Sequence, residues 1–118
     1  KRNLTQLRLA ETEKYAHVTY FFNGGNENVF AKEERILIPS AKHISTYDQY
    51  PQMRAIEITE EGIRQIKEKN YHFILINYAN GDMVGHTGNL KAGIEAVQCL
   101  DSCLDRIVKT SFLSSIFC

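Results

Sequence analysis

The order of patterns between Thr59 and Lys109 limits this chain more than any other feature. A helical period comes first, then a short unbroken apolar run, a glycine-bearing loop, and a second, longer helical period. Thr59 is placed to cap the first helix, with Glu60 and Glu61 in a first turn whose dipole favours negative charge. Ile63 and Ile66 give it an apolar stripe, and Lys67, Lys69 and Asn70 crowd its end. Tyr71 to Asn77 is apolar without alternation, the pattern of a strand covered on both faces. Asn80 to Asn89 reads as a loop in which Gly81, Gly85 and Gly88 supply backbone freedom. Leu90, Ile94, Val97, Leu100 or Asp101, Leu104, Ile107 and Val108 then predict a long amphipathic helix to Lys109. This order is half of a doubly wound α/β fold: a partial sheet with flanking helices, which keeps its ligands at the carboxyl ends of its strands.

The upstream half is less regular. Leu4, Leu7 and Leu9 precede a polar stretch, and Tyr15, Val18, Tyr20, Phe21 and Phe22 supply apolar bulk up to Gly24-Gly25, which ends the element. Ala16 to Phe22 is strand-like by content and helix-like by spacing, and the helix is favoured. Ile36-Leu37-Ile38 is a short apolar burst stopped by Pro39, and Ser40 to Arg54 reads as loop.

Composition removes several function classes. With 14 basic and 14 acidic residues among 118, the chain shows no cationic excess of the kind that nucleic acid or an acidic membrane surface selects. A hydrophobic content of 43% is enough for a packed core, yet no apolar run approaches the length needed to span a bilayer. Cys99, Cys103 and Cys118 form no Cys-x-x-Cys pair, and Cys99 and Cys103 share a helix face, so they read as packing thiols of a reduced, cytoplasmic protein. Lys1-Arg2-Asn3 lacks both an apolar signal and an initiating Met, which points to processing or to excision from something longer.

The chemistry-bearing candidates are few. Asp82 and His86, four residues apart after the apolar run, have oxygen and nitrogen donors suited to manganese or zinc if the loop folds back. By spacing alone a turn aspartate and a helix-start histidine are equally ordinary, and the position at a strand's end favours the metal reading. Lys14 lies among Glu11, Glu13 and His17, where pairing with a neighbouring carboxylate is the plain reading. His17, His43 and His72 read as packing residues, and nothing singles out Arg35, Arg54 or Arg64 as a phosphate ligand.

Two ordered strings add a resemblance. Leu9-Ala10-Glu11-Thr12-Glu13-Lys14-Tyr15-Ala16-His17-Val18-Thr19-Tyr20-Phe21-Phe22-Asn23-Gly24-Gly25 and Asn77-Tyr78-Ala79-Asn80-Gly81-Asp82-Met83-Val84-Gly85-His86-Thr87-Gly88-Asn89 resemble the cofactor-independent phosphoglycerate mutases of the alkaline phosphatase superfamily. Arg35 to Ser40 and Ser45-Thr46-Tyr47-Asp48 continue the likeness, which runs from about Gln6 to Lys109. It implies an alkaline-phosphatase-like fold and interconversion of 3-phosphoglycerate and 2-phosphoglycerate through a phosphoserine and two manganese ions. It also implies that Asp82 and His86 are ligands of one manganese and that Lys14 contacts the substrate phosphoryl group. The Lys14 string separates this family from the phosphopentomutases, phosphatases and sulfatases that share the metal chemistry.

The departures from the family pattern are as informative. The segment bearing the nucleophilic serine, the inserted transferase domain, the downstream Asp-His string and a later histidine have no counterpart here. Residues 1–109 are therefore expected to be part of a metal-binding phosphatase domain and 110–118 a divergent tail. The piece alone is expected to be inactive, and to self-associate through apolar surface left uncovered, whereas the complete enzyme is expected to be a monomer.

Overall fold

A computed structural model describes residues 3–42 and 44–116. The expectations for the Lys1-Arg2 start, His43 and Cys118 fall outside the described residues. Three parallel strands, β1 (Gln6–Glu11), β2 (Glu33–Ile38) and β3 (Phe73–Asn77), form one sheet in the order β2-β1-β3. Four α-helices accompany them among the described residues: α1 (Tyr15–Val18), α2 (Ala55–Glu68), α3 (Asn80–Gly85) and α4 (Leu90–Ile116). Single 3-10 turns cover Thr12–Lys14 and Tyr47–Gln49. The mixed α/β architecture is the expected one. No described helix is long and apolar enough to cross a membrane.

The central strand is β1, which the apolar pattern does not announce because Arg8 and Glu11 interrupt it. Both are buried along with Leu7, Leu9 and Ala10. Parallel register places Leu7 beside Ile74 and Leu9 between Ile36 and Ile76 on one sheet face. On the other face the Arg8 guanidinium lies 4.3 Å from the Phe22 ring centroid and 5.4 Å from that of Phe73. Its Nη2 donates to Gln6 Oε1 at 2.6 Å. Flat aromatic faces thus accept a cation that water has left.

Several expectations are corrected. Tyr71 to Asn77 holds a strand, β3, but it is a sheet edge: Phe73 is exposed and Ile74 to Asn77 are half-buried, so two-sided cover belongs to β1 instead. Helix α2 begins at Ala55, and Thr59 is an interior residue rather than the cap. Its hydroxyl donates to Ala55 O at 2.7 Å and lies 2.8 Å from the Tyr78 hydroxyl, and these bonds allow it to be buried. The inward face of α2 is Ala55, Ile58, Thr59, Gly62 and Gln65, while Ile63 and Ile66 are only half-buried. Gly62 allows the close approach, since a Cβ there would lie 3.1 Å from both Ile76 Cδ1 and Ile107 Cδ1. Residues 16–18 are helical within α1, and 19–24 form turns closed by Gly24 and Gly25 at positive φ.

Helix α4 continues without a break past Lys109 and buries small residues, Ala92, Ala96 and Cys103. Of the apolar stripe of the sequence pattern, Leu90, Ile94, Val97, Leu104 and Val108 are exposed, while Leu100 and Ile107 are half-buried beside Gly81 and Gly62. Cys103 packs as expected, its Sγ donating to Ala55 O at 3.6 Å. Burial, with Cys103 alongside, pushes the Cys99 thiol up to about 11.

Candidate functional site

Strands β1 and β3 are parallel neighbours, with Ala10 paired to Asn77, so the chain leaves both at one edge of the sheet. Beyond β1 a single 3-10 turn delivers Lys14, and beyond β3 helix α3 delivers Asp82 with His86 as its C-cap. The expected loop is thus helical over Asn80–Gly85, and of its three glycines only Gly88, at φ +70°, uses backbone freedom. Gly81 serves packing, because a Cβ there would come within 3.3 Å of Leu100 Cδ1.

Asp82, His86 and Lys14 come together. His86 Nε2 lies 3.2 Å from Asp82 Oδ1, a separation set by one helical turn and supported by the His86 N–H bond to Asp82 O at 3.0 Å. Lys14 Nζ donates to the other carboxylate oxygen, Oδ2. The Lys14 side chain is 13% exposed, while those of Asp82 and His86 are 50% and 76% exposed. The Lys14 hydrogen bond chiefly, with its charge and that of His86, holds the Asp82 carboxyl below the usual aspartate range. The plain reading of Lys14 is therefore corrected: its partner is not an adjacent glutamate but a carboxylate 68 positions away.

Those glutamates are engaged elsewhere. Glu11 accepts from Ser40 Oγ at 2.8 Å and from the Arg54 N–H at 3.3 Å, and burial raises its carboxyl pKa despite these bonds. Glu13 accepts from the Tyr47 hydroxyl at 2.6 Å. Burial first, and then the Glu13 bond, push the Tyr47 phenol up to about 12. One residue on, Asp48 accepts from Asn89 Nδ2 at 3.2 Å, and Asn89 also takes the Ala92 N–H at the start of α4. The 45–48 segment thus touches both the Lys14 turn and the end of the Asp82–His86 arm. With Met83, His86 and Thr87 it walls an open depression of about 400 Å³.

The chemistry available is a carboxylate whose oxygens face a cation and an imidazole respectively. Two ligands on one divalent ion at about 2.1 Å each stand roughly 3 Å apart, so the Asp82–His86 spacing fits a shared ion. Among the described residues no group of three or more His, Cys, Asp or Glu side chains is arranged to hold a metal ion. The other basic candidates lie elsewhere: Arg35 pairs with Glu33, Arg54 with Glu57, and Arg64 with Glu61 and Glu68. His17 packs on Phe21, and His72 accepts from the Thr5 N–H. No local pattern marks Tyr47, Asp48 or Asn89, because their contacts join positions 34 and 41 residues apart.

A family model described as the metalloenzyme superfamily matches residues 1–115, and the chain belongs to that superfamily. It is 57% identical over 109 residues to a 2,3-bisphosphoglycerate-independent phosphoglycerate mutase of Pseudomonas aeruginosa, covering 92% of this chain and 21% of that protein. The same enzyme of Legionella pneumophila is 57% identical over 104 residues, with 88% and 20% covered. A crystal structure of Leishmania mexicana phosphoglycerate mutase at low cobalt concentration superposes with a TM-score of 0.86 at 37% identity, over 91% of this chain and 20% of that one. The chain spans about a fifth of the length of these relatives.

Proposed function

We propose that this chain is a segment of the phosphatase domain of a 2,3-bisphosphoglycerate-independent phosphoglycerate mutase, with Asp82 and His86 holding one of two manganese ions and Lys14 contacting the phosphoryl oxygens of phosphoglycerate. The observation that carries the reading is the meeting of Lys14 with the Asp82–His86 pair at one sheet edge, in a chain so similar to those mutases. When bound, the ion supplies positive charge against the transferring phosphoryl group. Asp82 and His86 would hold the ion, and Lys14, which donates to Asp82, would set its ammonium against the phosphoryl oxygens. These residues position and neutralise; they supply no nucleophile, so the 118-residue piece alone is inactive and the isomerase activity belongs to the complete, cytoplasmic enzyme.

Manganese titration of this chain by calorimetry tests the reading. Micromolar binding that falls at least tenfold in His86→Ala and in Asp82→Asn is expected. Equal affinity in the variants, or no heat with the unaltered chain, overturns it.

For the isolated piece the reading includes a second copy as partner, although the complete enzyme is a monomer. Leu90, Ile94, Val97, Leu104 and Val108 repeat at alternating four- and three-residue steps, with Asp101 at the one polar step. All five apolar residues are half or more exposed apart from Val108, at 48%. With Phe112 the stripe is roughly 33 Å long, and it leaves about 600 Å² of side chain per copy to bury, near the lower limit for a stable pair. Light scattering on the eluted chain should give a dimer mass that Leu104→Lys reduces to a monomer. A monomer at every concentration removes this part of the reading.

A further inference from the structure

Lys14 sits in a run of acidic residues. Glu13 is one peptide bond away and Glu11 is three residues back, yet the lysine reaches across to Asp82. Each glutamate has been drawn off by the 40–54 segment. Glu11 is 1% exposed and holds the Ser40 hydroxyl and the Arg54 N–H. Thr12 Oγ1 accepts the Ser40 N–H at 3.1 Å, which fixes the turn between them. Glu13 is exposed and is held at one point, by the Tyr47 hydroxyl at 2.6 Å. An exposed carboxylate beside an ammonium competes for it, and such pairs differ little in free energy, so one strong hydrogen bond decides which carboxylate the lysine faces.

We propose that Tyr47 is a positioning residue that occupies the Glu13 carboxylate and thereby reserves Lys14 for Asp82 and for an anion arriving beside it. Asp48 reinforces it through Asn89, which anchors the same segment to the start of α4 beyond His86. The assignment deepens the reading of Lys14 as the anion-contacting residue and gives that residue a gatekeeper 33 positions downstream. Removing the Tyr47 hydroxyl frees Glu13, which then draws Lys14 back to its own neighbour.

Zero-length carbodiimide cross-linking of the full chain, with the Lys14–Asp82 isopeptide quantified by mass spectrometry, tests this without any ligand. Tyr47→Phe should lower the yield roughly two- to fivefold, the scale on which exposed ion pairs compete. Glu13→Gln alone should leave the yield unchanged, and Tyr47→Phe combined with Glu13→Gln should restore it. A merely structural role for Tyr47 predicts no rescue, because the double variant also lacks the hydroxyl. Glu13→Asp, which shortens the reach to Tyr47 but keeps the charge, should lower the yield as well and decides the matter if Tyr47→Phe does not fold by circular dichroism. An unchanged yield in the folded variants, or a fall that Glu13→Gln does not reverse, overturns the proposal. Loss of manganese binding with the cross-linking pattern intact would remove the functional reading and leave the Tyr47 assignment standing.

Discussion

Strands β1 and β3 lie side by side, run parallel and end at one edge, and each sends a short element into the site. Their surroundings differ sharply. The middle strand, β1, is closed off from Leu7 to Glu11, and it carries an arginine and a glutamate into the interior because aromatic faces, a serine and a backbone N–H receive them. At the edge, β3 has the more apolar sequence and the more exposed residues. Burial here follows place in the strand order. Composition follows what each strand must tolerate: the middle one is held on two sides and can carry charge if the charge is met, while the edge one is aliphatic and sets Ile76 against Gly62 of α2.

Truncation of one apolar side chain in each strand breaks this comparison most forcefully. Leu9→Ala, at a fully buried position flanked by Ile36 and Ile76, is expected to cost about 2–5 kcal/mol in urea unfolding. Leu75→Ala, on half-buried β3, is expected to cost about 1 kcal/mol, since less area leaves water there. Equal costs would mean that β3 is covered in solution, as a second copy or a longer chain would cover it. The next effect lies where β3 ends. Thr59→Val keeps the shape but leaves the Tyr78 hydroxyl without its partner, at an expected cost of about 1–2 kcal/mol. Tyr78→Phe in that background should recover most of it.

How far each feature could be read from sequence follows from the range of the interactions behind it. Helix α4, strand β3 and the Asp82–His86 pair rest on local spacing and were legible. The start of α2 was not, because Thr59 satisfies its hydroxyl inside the helix, a behaviour that local pattern cannot tell from capping. Strand β1 was hidden by Arg8 and Glu11, whose partners Phe22, Phe73, Ser40 and Arg54 are distant in sequence. In α4 the period is right but only part of the stripe faces inward: Ala92, Ala96 and Cys103 are buried and Leu100 and Ile107 half-buried, while Leu90, Ile94, Val97, Leu104 and Val108 are exposed. At the site, the family likeness supplied Lys14, whereas the Tyr47–Glu13 bond that frees it depends on tertiary contact alone.

A pH series sharpens the contrast at the strand ends. Burial raises the Glu11 carboxyl pKa, so its folded value lies above its unfolded one. Its contribution is then fully present below the unfolded value, near 4.5, and is lost as pH rises through the folded value. Glu11→Gln should therefore flatten the stability profile on the neutral side of that range, seen as urea midpoints that decline less from pH 5 to pH 7. A profile unchanged by the substitution would show that the unfolded chain holds this carboxyl in a similar environment.

The smallest effect on stability is expected at Asp82. Lys14 lowers the Asp82 pKa, so the contribution of Asp82 is present above its unfolded value, near 3.8, and is lost as pH falls through the folded one. The carboxylate is half exposed, however, and screened by water. Asp82→Asn should leave the melting temperature at pH 7 nearly unchanged while lowering manganese affinity at least tenfold, as the proposed ligand role requires. If the melting temperature instead falls as far as it does for Thr59→Val, the Lys14–Asp82 pair is a structural clasp between the ends of β1 and β3. A residue kept for a ligand behaves the other way: its charge is held apart from the core's cohesion, so that replacing it costs binding and spares the fold.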